Sequence, residues 1–252
     1  MSISTTQARS NADNVAGVMA VESEDTDQIT LPPSLSKFVD KPALNNDPLP
    51  GASSGGADVY GVKVPLDEET HHAKSVLDGA PTGCTALEVA SYYWAVGEGV
   101  YGEELRPYVA AWPVRWNPVI VEFFKSTHTT PEGDETAWCA AFINYCLMRG
   151  AIERALPSPP TPPTKSARAR SFETWGVPTP NPQPGDLVVF ENLKSGGGHV
   201  AFFLADQGDR VLVLGGNQLN GDPARHSINK KSYTKSGPIL KVLGYRTDPQ
   251  LH

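Results

Sequence analysis

Between Trp138 and Leu147 the residues Cys139, Phe142, Ile143, Cys146 and Leu147 recur at positions i, i+3, i+4, i+7 and i+8. That spacing is met by a helix buried along one face, so the rest of the chain must supply a surface for this face to pack on. Thr136 stands where an N-cap is expected and Gly150 where a helix of this length would end. Cys139 then falls in the first turn. Unpaired N–H groups and the positive end of the helix dipole favour an anion there. Its thiol is therefore expected to ionise more readily than a free one. A thiol nucleophile also needs a base, and the candidate is His199 in Gly196-Gly197-Gly198-His199-Val200-Ala201.

Composition divides the chain of 252 residues. Residues 1–83 are rich in Ser, Thr, Asp, Asn, Pro and Gly, poor in aromatics and without a sustained apolar period. They are expected to be mostly disordered or linker-like. Within them, Asp67 to Leu77 has the makings of a short helix. His71-His72 reads there as surface, because neighbours on a helix point about 100° apart and make a poor metal pair. Residues 84–248 carry the Trp, Tyr and Phe content of a packed domain.

The net charge of −7, with no basic cluster beyond Lys230-Lys231, argues against a nucleic-acid partner. No run of about eighteen apolar residues suits a membrane span. The first residues lack the apolar core of a signal peptide, so none is expected. No Cys-x-x-Cys or His-Glu-x-x-His motif calls for a metal, no cofactor is expected, and no Gly-x-Ser-x-Gly marks a serine nucleophile. The three cysteines give no clear disulfide. Cys139 and Cys146 lie about 10 Å apart along one helix, beyond bridging reach, and a bridge from Cys84 has nothing in its favour.

Taken in order, an amphipathic helix is expected from Thr85 to Gly97 or Gly99. A second runs from Asn117 to Lys125 with Pro118 in its first turn. After the cysteine helix, five prolines between Pro157 and Pro163 rule out a helix and predict an extended surface loop. A short helix at Ala167 to Trp175 stops at Gly176. Strands follow at Leu187 to Phe190, Val200 to Leu204 and Val211 to Leu214, the last two joined by a hairpin turn at Asp206 to Asp209. Weaker strands are expected at Arg225 to Ile228 and Ile239 to Tyr245. Helices first and an antiparallel meander after them make an α+β domain.

The group that orients the imidazole is sought at the end of the hairpin partner of the histidine strand. Asn217 stands there, and the adjacent Gln218 is the alternate, with its side chain expected on the opposite face. Taken one by one, Cys139 and His199 read more readily as a core thiol and a structural or surface histidine. Their order along the chain, cysteine helix, histidine strand, then Asn217 after a hairpin, is what favours a catalytic reading.

These residues resemble a known superfamily. Glu135-Thr136-Ala137-Trp138-Cys139-Ala140-Ala141-Phe142, Pro184-Gly185-Asp186-Leu187-Val188-Val189-Phe190, Gly198-His199-Val200-Ala201-Phe202, Leu214-Gly215-Gly216-Asn217-Gln218 and Leu243-Gly244-Tyr245-Arg246 are similar to motifs of the CHAP and NlpC/P60 papain-like cysteine peptidases and amidases. The similarity runs from about residue 85 to 247, and the proline-rich insertion departs from it. It implies a papain-like α+β fold, with helices packed on an antiparallel meander, and peptidoglycan as substrate. The bond cut would be the N-acetylmuramoyl-L-alanine amide or one within the stem peptide. Cys139 would be the nucleophile, His199 the base and Asn217 the third polar group, with Trp138, Gly198 and Gln218 lining the substrate site. Such an enzyme suits an antibacterial effector exported by a type VI system, with an immunity protein and a secretion-machine component as partners, or a phage lysin. The reading of a different class is a non-catalytic binding protein on the same scaffold.

Overall fold

The computed structural model describes residues 61, 63–156, 158–220 and 222–252. The stretch expected to be disordered or linker-like lies, for residues 1–60, outside the described residues. Among the described residues, four α-helices precede a six-stranded antiparallel sheet: α1 Asp67–Gly79, α2 Ala86–Gly97, α3 Pro118–Phe123 and α4 Cys139–Ala151. The strands are β1 Val177–Pro178, β2 Leu187–Asn192, β3 Gly198–Gln207, β4 Arg210–Asn220, β5 Asp222–Thr234 and β6 Leu240–Thr247, in the order β1-β6-β2-β3-β4-β5. This is the α+β arrangement expected, with β2 to β5 as the meander and β6 returning beside β2.

The helix starts follow local chemistry. Thr85 accepts from the Glu88 amide while the Glu88 carboxylate accepts from the Thr85 amide, a reciprocal cap on α2. Asn117 caps Val119 of α3, and Pro118 fills the first helical position, where no N–H is needed. The helix expected up to Lys125 instead tightens into a 3-10 turn at Phe124–Ser126. The segment Ala169–Thr174 is likewise a 3-10 turn. The short helix expected at residues 67–77 forms as α1. Its Ala73 and Val76 enter the same apolar cluster as α2 and α4, and Leu251 of the C-terminal turn joins them. The packed unit thus reaches beyond both ends of 84–248.

Helix α4 is buried on nearly every side rather than along one stripe. Ala140, Ala141, Asn144 and Tyr145 are buried along with Cys139, Phe142, Ile143, Cys146 and Leu147, and Met148 is exposed. The reason is a double cover. Leu187, Val189, Val200, Phe202 and Leu214 meet α4 in one cluster with Tyr93 of α2 and Phe123 of α3. Tyr93, Phe123, Phe142 and Tyr145 pack edge-on and tilted at 4.9 to 6.1 Å between ring centroids. Each such ring taken from water contributes about 1.5–3 kcal/mol. The polar Asn144 is satisfied by the loop that crosses it, donating to the Ser166 carbonyl and accepting from the Lys165 amide. That loop contains the proline-rich stretch. Thr161 is held by Asp248 and Gln250, and the Pro162 carbonyl by the Trp175 indole.

The opposite face of the sheet has its own cluster. Val188, Phe190, Ala201, Phe203, Val211 and Val213 pack with Tyr233, Leu240, Val242 and Tyr245, which is the alternation expected of strands covered on both sides.

Candidate active site

Cys139 is the first residue of α4. Trp138, not Thr136, occupies the cap position and offers no side-chain cap. Pairing between β3 and β4 extends to Phe202↔Leu214 and no nearer to the start of β3, so the Val200 amide is left out of the ladder. That amide faces the Cys139 thiol and lowers its pKa, as do the amides of Cys139 and Ala140. The helix therefore brings its thiol to the gap where two strands part, against the residue that follows His199.

The two strands part because β4 is irregular there. Its register with β5 shifts between Gly215 and Gln218, and Asn217 adopts a left-handed backbone with φ 59°. The cause is steric. A Cβ on Gly216 would lie 2.4 Å from Cζ3 of Trp138 and 3.1 Å from Cβ of Phe142, so the indole occupies the space of a side chain. Gly216→Ala is expected to displace Trp138 and cost about 1–3 kcal/mol by overpacking. Thermal unfolding checks this, and an unchanged midpoint would contradict the fit. Trp138 is fully buried, so it packs the site from behind instead of lining a substrate surface as expected. Gly198 also has a packing reason: its Cβ would come within 2.3 Å of the Phe190 carbonyl oxygen.

The His199 ring sits between Phe190 and Tyr233, at 5.8 and 5.7 Å between ring centroids. It is 6% exposed, less open than the three glycines before it suggest. Its Nε2 lies 3.1 Å from Oε1 of Gln218. The Gln218 amide nitrogen donates to the carbonyls of Gly215 at 3.1 Å and Asn229 at 2.6 Å, which fixes the amide orientation. Oε1 can only accept, so the proton between Gln218 and His199 belongs to Nε2. Nδ1 of the neutral ring is thereby the acceptor, the form a general base requires.

Asn217 does not reach His199. Its Oδ1 lies 2.7 Å from Nδ1 of His226 instead. The expectation rested on regular strand alternation. The register shift and the left-handed residue at 217 break that alternation and turn Gln218 toward the imidazole.

The electrostatics also differ from expectation. Burial pushes the Cys139 thiol up from its ordinary value, and this outweighs the three amides that pull it down. Burial lowers His199 to about 4; Lys231 and His226 add to the drop and Gln218 opposes it. At neutral pH Cys139 is thus a thiol and His199 a neutral imidazole. An acid limb in kcat/KM is accordingly expected near pH 4, because only the unprotonated ring takes a proton and a lowered value keeps it unprotonated further into acid. A soluble amide substrate assayed from pH 3.5 to 7 tests this, and a limb at the ordinary histidine value of 6.5 would contradict it.

Sequence reading missed Asn229, Lys231 and Tyr233 of β5. Their every-other-residue spacing after Ser227 is a strand signal, but the charged residues among them masked it. Among the described residues no cluster of His, Cys, Asp and Glu is arranged to hold a metal, and no helix is long and apolar enough to cross a membrane. Cys84, Cys139 and Cys146 are all free thiols.

No curated protein and no solved structure matches the chain. The family model described as CHAP domain matches residues 131–217, from the loop before α4 to the residue before Gln218. The matched stretch takes in both Cys139 and His199 and is similar to a CHAP domain, in keeping with the resemblance of its motifs.

Proposed function

We propose that the protein is a cysteine amidase or peptidase that hydrolyses an amide of peptidoglycan, either at N-acetylmuramoyl-L-alanine or within the stem peptide. The CHAP match supports hydrolase chemistry of the amidase or peptidase kind. The observation that carries the proposal is the Gln218-held tautomer of His199 on the strand whose next amide meets the Cys139 sulfur.

Nδ1 of His199 takes the thiol proton as sulfur attacks the carbonyl carbon. The imidazolium then protonates the departing amine, and water, activated by the same ring, releases the acyl group from sulfur. The Cys139 amide, in the first turn of α4 and turned toward its own sulfur, would donate to the oxyanion that develops there. Action at the bacterial wall, reached by export as an antibacterial effector with an immunity partner or by lysis as a phage lysin, belongs to the same proposal.

Purified protein incubated with isolated sacculi, with the soluble fragments read by mass spectrometry, tests this. Free stem peptides beside unshortened glycans mark an amidase, and shortened stems an endopeptidase. The burial of Cys139 favours one competing reading, a binding protein with a core thiol. Release of neither product, with the protein retained on sacculi, would replace the hydrolase with that reading.

A further inference from the structure

Strand β5 carries Ser227, Asn229, Lys231 and Tyr233 at alternate positions. The register runs Phe203↔Val213↔Lys231, and Phe203 follows His199 at even spacing, so these residues share the sheet face of the imidazole. Asn229 holds Gln218, and Tyr233 lies against the His199 ring. Between them, Lys231 donates from Nζ to the Leu219 carbonyl at 2.8 Å, with Nζ 5.5 Å from the centroid of the Tyr233 ring. Among the described residues Lys231 makes no ion pair with a carboxylate. Burial lowers its affinity for a proton, and its charge helps hold the imidazole neutral. An ammonium has three donors and the Leu219 carbonyl takes one of them. A partly desolvated cation that sits against Tyr233, itself packed on the His199 ring, and keeps donors to spare is a cost to the fold that an anionic ligand would offset.

On the proposed reading of the protein as a wall amidase or peptidase, we infer that Lys231, with Tyr233 beside it, forms a subsite for a substrate carboxylate close to the scissile amide. Wall stem peptides carry such a group at glutamate, free in some walls and a carboxamide in others. The site therefore selects the free-carboxylate form. Lys231 is a specificity residue rather than a catalytic one.

Two synthetic muramyl tetrapeptides that differ only in this carboxylate or carboxamide test the inference with the full-length protein. Wild type is expected to cleave the carboxylate form with kcat/KM higher by about tenfold or more, the scale of a charge-assisted hydrogen bond. Lys231→Met removes the preference by raising KM for that form alone, and Lys231→Arg retains part of it. Equal cleavage of the two peptides by wild type would overturn the subsite while leaving the hydrolase standing, and needs no variant to fold. A preference that survives in Lys231→Met would overturn it as well. If wild type cleaves neither peptide yet releases fragments from sacculi, the carboxylate subsite is wrong. If it acts on neither peptides nor sacculi, the hydrolase reading fails and the subsite with it.

Discussion

Cys139→Ala is expected to lower the release of soluble fragments from sacculi by about 10³-fold or more, the scale seen when a nucleophile is removed from a cysteine or serine site. The loss is chemical and not structural. Cys139 is 3% exposed, so the substitution removes one buried sulfur and its contacts at a cost of about 1 kcal/mol. Cys146 provides a matched control. It lies on the same helix, is fully buried, and sits two turns away from the strand gap. Cys146→Ala should therefore lose comparable stability and keep its rate. Rate assays on sacculi and melting curves on both variants separate the two effects. A Cys139→Ala protein that still releases fragments, or a pair of variants that lose activity alike, would remove Cys139 from the mechanism.

The helix that presents this thiol was legible because its spacing is a local property, and the strands from Leu187 to Leu214 were legible because both faces of the sheet are covered. The thiol's ionisation was not. A cysteine at a helix start reads as activated from sequence, but the balance turns on what covers the sulfur. Here α4 and the strands it packs on, the nearest of which, β2, is about 50 positions further along the chain, bury it. Burial then outweighs the helix start. Helix α1 was legible as a short helix but not as part of the packed unit, because Ala73 and Val76 are too sparse to announce a buried face among charged neighbours. The partner of His199 was misread by one residue. Strand alternation counted through Gly215-Gly216 puts Asn217 toward the ring, whereas in the fold Gly216 yields its side-chain space to the Trp138 ring 78 positions earlier and the alternation breaks.

That single-residue difference has a kinetic consequence. Gln218→Leu keeps the shape of the buried side chain and removes the acceptor for His199 Nε2. The ring is then free to carry its proton on Nδ1, the atom needed as base. A fall in kcat of about 10²-fold with KM nearly unchanged is expected, since orientation and tautomer are lost while the substrate surface stays. Gln218→Glu gives a readout that a packing role would not move. A carboxylate at that position favours the imidazolium, so the acid limb should rise from near 4 toward neutral pH. Asn217→Gly retains the left-handed backbone without strain and loses the contact with His226. It should keep most of the wild-type rate, whereas Asn217→Ala pays about 1–2 kcal/mol for the same backbone. Steady-state kinetics on the four variants decide between the two residues. Loss of rate in Asn217→Gly with full activity in Gln218→Leu would return the orienting role to Asn217 and undo the tautomer argument.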